Sequence, residues 1–94
     1  MTIGLLTLDL LISGSRSLKD KRRVLKSLKE QLRNRYNCSI AEVGGAKDHW
    51  SRAQLAACVV GDDSRFVNTQ LNEIARFAAN KGGAELIEYH IEMM

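Results

Sequence analysis

Proline is absent from this chain of 94 residues, cysteine occurs twice, and the aromatics amount to one tryptophan, two tyrosines and two phenylalanines. Each shortage excludes something. Without proline, and without any repeat or low-complexity tract, nothing marks a stiff linker between units, and a chain this short forms one domain, residues 1–94. Cys38 and Cys58 are too few for the disulfide framework of a small secreted protein and lack the paired spacing of a zinc site. So few aromatics argue against sequence-specific reading of single strands by base stacking. The longest apolar-leaning run, Ile3 to Ile12, is broken by Thr7 and Asp9 and is too short to cross a bilayer. It also lacks the basic flank and small-residue cleavage site of a secretory signal. We therefore expect a reduced, cytoplasmic protein with no membrane partner.

Catalytic signatures are missing as well. No glycine-rich phosphate loop, nucleophile elbow or zinc-ligand pair occurs. Gly44-Gly45 follows a strand-like run but lacks the Lys-Ser/Thr and helix start that a phosphate loop needs. His49, between Asp48 and Trp50, has no nucleophile predicted beside it, and Trp50 reads more simply as a packing residue. No catalytic residue, cofactor or resident metal is expected, and the protein is not expected to be an enzyme.

What is present is periodicity. Residues 2–12 alternate as a strand, with Gly4, Leu6, Leu8, Leu10 and Ile12 on one face and Ile3, Leu5, Thr7, Asp9 and Leu11 on the other. Ser17 with Asp20 three residues on resembles a capping box. Leu18, Leu25, Leu28, Leu32 and Tyr36 then make a stripe at helical spacing up to Asn37. Residues 38–43 and 52–60 read as the second and third strands, the third rich in small apolar residues and hence central. Placed as a hairpin centred near residue 48, they bring Cys38 opposite Cys58, as two small residues packed in a reduced sheet. Asp62 or Asp63 caps a second helix with Val67, Leu71, Ile74, Phe77 and Ala78 on its inner face, and "NKGG" stops it. The last strand alternates, with Ile87, Tyr89, Ile91 and Met93 inward and Glu88, His90 and Glu92 on the other face. The order βαββαβ, with short connections and right-handed crossovers, predicts an α+β ferredoxin-like fold: a four-stranded antiparallel sheet with two helices on one face.

The uncovered sheet face then mixes Ile3, Leu5 and Leu11 with Thr7, Asp9, Glu88, His90 and Glu92. A part-apolar open face predicts a homodimer that packs it. The alternating carboxylates and histidine are what a solvated strand face shows, so no metal is assigned to them.

Charge is the other asymmetry. Nine of the fourteen Lys and Arg lie between Arg16 and Arg35, against the two acids Asp20 and Glu30. Around a helix, Lys19, Arg22, Arg23, Lys26, Lys29 and Arg33 gather on one flank and the back of the apolar stripe. Lys19/Arg23, Arg22/Lys26 and Lys29/Arg33 are like-charged pairs at four-residue spacing, each unfavourable by about 0.2–0.5 kcal/mol. Salt screens such charges, so a merely solvated face is one reading. A ridge that grips phosphates is the other, and the one we expect: a non-enzymatic accessory factor that contacts RNA or a ribonucleoprotein through its first helix. The alternative is a homo-oligomeric interaction module that uses the uncovered sheet face.

The runs "SRSLKDKRRVLKSLKEQLRNRYN", "SIAEVG", Trp50 with "SRAQLAACVVG", and "GGAELIEYHIEMM" resemble the small bacterial YlxP-like family, a domain-of-unknown-function family, over essentially the whole chain. The resemblance implies a ferredoxin-like, cytoplasmic bacterial protein of no established activity. Members are often encoded near transcription and translation factors, which implies RNA or the ribosome as partner. It matches Lys19, Lys21, Arg22 and Arg23 to the family's basic helix opening, and Glu42, Trp50 and Arg52 to its middle motif. The connection Gly44–Lys47 departs from the family's pattern.

Overall fold

The structure, a computed structural model, describes all residues from Met1 to Met94. The elements are β1 (Thr2–Leu11), α1 (Leu18–Arg35), β2 (Ser39–Val43), β3 (Arg52–Gly61), α2 (Ser64–Ala79) and β4 (Glu85–Met93). They form one antiparallel sheet of order β2-β3-β1-β4, the ferredoxin-like arrangement, with both helices on one face.

The core follows from strand alternation. Leu6, Leu8 and Leu10 of β1 stand beside Ala57, Leu55 and Ala53 of β3, and this face meets Leu25, Leu28 and Leu32 of α1 and Val67, Leu71, Ile74, Ala75 and Ala78 of α2. The second helix sits close to the sheet at Gly4, where an added Cβ would lie 2.6 Å from both Leu71 Cδ1 and Val67 Cγ1. Both helix starts are capped from the side chain. Ser17 accepts from the Asp20 amide and Asp63 from the Arg65 amide, each satisfying a donor that the helix leaves free. Asp20 completes a variant of the capping box by accepting from the Arg16 amide at 3.1 Å.

Two expectations are corrected. A bulge between Asp9 and Leu10 shifts the β1–β4 register, so that Leu10 pairs with Leu86 while Asp9 pairs with Glu88. Ile87 is therefore the unpaired extra residue, 49% exposed, and Leu86 takes the inward position assigned to it. Tyr89 and Met93 share the inner face, opposite Leu8 and Gly4, yet remain exposed because β4 is an edge strand. The hairpin register sets Ser39, not Cys38, opposite Cys58. Cys38 consequently packs towards the core and Cys58 lies on the open face, both as free thiols. Phe77 packs against the core from the inner side of α2, as expected, though only partly buried, with Ala75 also in the core and the Arg35 guanidinium 4.8 Å above the Phe77 ring.

Candidate nucleic-acid interface

The first helix has three sides with different chemistry. Leu25, Leu28 and Leu32 hold it on the sheet, and between the half-buried Leu18 and Leu25 the same stripe contains Lys21, which is 1% exposed. A buried ammonium is tolerable only if its hydrogen bonds and its charge are both answered. Its three N–H groups have three acceptors: the carbonyls of Ala46 at 2.7 Å, Lys47 at 3.1 Å and His49 at 2.7 Å. Its charge is met by Glu42 Oε2 at 3.0 Å. That contact is an ion pair rather than a directed hydrogen bond, for Oε2 has no well-aligned hydrogen-bond donor. Glu42 reaches this place because it shares the helix-facing side of β2 with Ile40. Lys21 is thus a structural hub, not part of the surface charge.

The outward flank differs. Lys19, Arg22, Arg23, Lys26 and Arg33 are exposed and Lys29 is half-buried. Carboxylates meet basic side chains at Lys21–Glu42 and at the Glu88–His90 contact, so none of the six predicted contact residues is neutralised within the molecule. Along the axis Lys19 to Arg33 spans about 21 Å. Arg33 has a second role: its Nη2 donates to the Ile40 carbonyl at 3.0 Å, which places this flank beside the short edge strand β2. The Arg33 charge also lowers the Cys38 thiol pKa, but desolvation of the partly buried thiol is the larger effect, and the net shift is upward.

Arg35 shares the helix but not the ridge. It turns towards α2 and lines an open cleft of about 420 Å³ with Tyr36, Glu73, Arg76, Phe77 and Asn80.

The connection from β2 to β3 sits against the start of α1. Lys21 holds the carbonyls of residues 46, 47 and 49, the buried Ser15 hydroxyl lies 2.5 Å from the Trp50 carbonyl, and the His49 amide closes a turn onto the Ala46 carbonyl at 3.0 Å. Gly44 takes a left-handed φ of 84°, and a Cβ there would strike the Gln54 side chain. The result is an ordered loop that exposes Lys47, Asp48, His49 and Trp50.

On the open sheet face the polar residues pair locally. Gln54 Nε2 donates to Asp9 Oδ1 at 2.9 Å, and Glu88 Oε1 lies 3.2 Å from His90 Nε2. Asp9, Glu88, His90 and Glu92 do not converge as a set of three metal donors.

Sequence reasoning placed the six ridge residues on one flank and missed Lys21 as an anchor. The available signals were a gap in the leucine stripe at that position and Glu42 standing in phase with Ile40.

A small ferredoxin-like domain with an unneutralised basic helix is the class these features define. The chain belongs to the family described as "Protein of unknown function (DUF503)", which matches residues 3–91. It is 31% identical over 75 residues to the uncharacterized protein YlxP of Bacillus subtilis (strain 168), covering 80% of each chain. The de novo designed protein Ferredog-Diesel overlays on 98% of this chain and 84% of its own, at 18% identity and a TM-score of 0.49. No helix is long and apolar enough to cross a membrane.

Proposed function

We propose that this protein is a cytoplasmic, non-enzymatic accessory factor that contacts structured RNA or a ribonucleoprotein, the ribosome among them, through the outward flank of α1. The observation that carries this reading is the contrast within one helix: the buried cation is fully partnered, whereas Lys19, Arg22, Arg23, Lys26, Lys29 and Arg33 have no ion-pair partner. A row of free cations along a rigid helix favours phosphates through counterion release, and it positions rather than reads sequence.

Binding to a structured RNA across a salt series tests it. About five phosphate contacts on a duplex-like target correspond to a log–log slope near −4 to −5. Joint replacement of Lys19, Arg22 and Lys26 by Glu abolishes that binding while the protein stays folded. Arg33 is left out of the set because it donates to Ile40. Binding with no salt dependence, or unaffected by the triple variant, refutes the reading. Cosedimentation with ribosomes at low and high salt separates a ribosomal from a free-RNA partner.

A second reading, a homodimer through the open sheet face, has its own support. Val60 is 57% exposed there, on the same face as Ile3, Leu5, Ala56 and Cys58. Leu5→Glu then yields monomers where the parent protein sediments as a dimer. A parent protein that is already monomeric at micromolar concentration removes this reading.

A further inference from the structure

Trp50 is the only tryptophan, and it is half-exposed on a loop whose backbone is tied down from below. Its ring stacks on His49, with centroids 6.1 Å apart and planes inclined by 16°, an offset parallel arrangement. The His49 ring is itself oriented, since its Nδ1 accepts from the Ser51 amide at 3.1 Å. Beneath them the buried Lys21 ammonium binds the carbonyls on both sides of Asp48, and Ser15 binds that of Trp50. A surface indole would ordinarily lose side-chain and loop freedom on meeting a ligand. Here most of that ordering is already complete, so little binding energy is spent on it.

The position matters as much as the rigidity. Lys21, which holds this loop, is flanked in the first turns of α1 by Lys19 and Arg22, the start of the basic ridge. Exposed Lys47 and Arg52 bracket the aromatic pair in sequence, with Asp48 the single acid between them. A flat aromatic face at the end of a phosphate-binding ridge suits a planar base attached to a phosphate backbone.

We propose that the His49–Trp50 pair is a stacking platform for one unpaired nucleobase at the end of the RNA segment held by α1. The inference rests on the RNA-contact reading and deepens it: the preferred ligand is a helix with a single-stranded extension rather than a blunt duplex. Stacking is tolerant of base identity, because every base has a π-face, so the platform selects an unpaired end and not a sequence.

The test uses the full chain with two RNA probes, a hairpin carrying a short single-stranded adenosine extension and the same hairpin with a blunt end. In the parent protein the extended probe quenches the fluorescence of Trp50 and binds about tenfold tighter than the blunt one, within the range that one stacked base supplies. Trp50→Leu removes that preference and leaves affinity for the blunt hairpin unchanged, and Trp50→Phe restores part of it. Circular dichroism and a urea midpoint close to the parent's verify that the variants fold. Equal binding of both probes by the parent, without quenching, overturns the platform and leaves the ridge standing. Preference and quenching that persist when Lys19, Arg22 and Lys26 are all changed to Glu keep the platform and overturn the ridge. Failure to bind either probe overturns both.

Discussion

Lys21 and Arg22 are adjacent in sequence, and the helix turns them to opposite fates. Lys21 enters the core side of α1, loses its water, and is held by three carbonyls and one carboxylate. Arg22 stays exposed with no ion-pair partner, as do Lys19, Arg23 and Lys26. The difference teaches that a basic run is not one feature. Desolvation makes the inner cation depend on every partner it has, so it acts on stability and loop geometry. The outer cations carry little folding energy and are free for a ligand.

The contrast can be broken from the inner side first. Lys21→Met leaves the Glu42 carboxylate and the loop carbonyls without their cation, and urea unfolding is expected to show a loss of about 3–5 kcal/mol. The same variant releases the loop, so the Trp50 emission shifts to the red in the folded baseline. Glu42→Gln is milder, about 1–3 kcal/mol in the same measurement, because Lys21 keeps its three carbonyl acceptors.

On the outer side the expected effect on stability is close to nil. Joint Glu substitution of Lys19, Arg22 and Lys26 turns the Lys19/Arg23 repulsion into an attraction, keeps position 22 and position 26 like-charged, and sets a second acid four residues before Glu30. These small changes offset, and thermal stability stays within a few tenths of a kcal/mol of the parent's. If stability instead falls by as much as it does for Lys21→Met, the distinction between the two sides fails.

Smaller effects sharpen the picture at the helix ends. Ser17→Ala deletes the side-chain acceptor for the Asp20 amide and costs about 1 kcal/mol by denaturant unfolding. At the other end, the partly buried Cys38 thiol has a raised pKa in the folded protein, so folding favours its protonated form. That contribution is complete below the thiol range of the unfolded chain and is lost as pH rises through the folded value. Stability measured on the alkaline side should therefore fall less steeply with pH in Cys38→Ala, and Cys58 should react with thiol reagents before Cys38.

Much of this was legible beforehand for identifiable reasons. The alternation of β1, the spacing of Leu25, Leu28 and Leu32, and the Ser17 and Asp63 caps are local patterns whose period or chemistry has few competing solutions. The six ridge positions follow from helical angle alone. The Ile87 placement was misread because a bulge adds a residue without leaving a turn signal, and every side chain beyond it changes face. The cysteine register was displaced by one residue because the long β2–β3 connection does not set the pairing the way a two-residue turn does.

The sequence by itself determined the element order, the sheet-facing residues of β1 and α1, and the one-sided charge of the first helix, since all of these depend on neighbours within a few positions. Only the tertiary structure decided that Lys21 is buried, that Glu42 meets it, and that Trp50 stands on a braced loop. Those outcomes depend on groups 21 to 35 positions apart, Lys21 with Glu42 and Ser15 with Trp50. A charge placed on an apolar stripe takes its meaning from what the fold brings to it, and no local period carries that information.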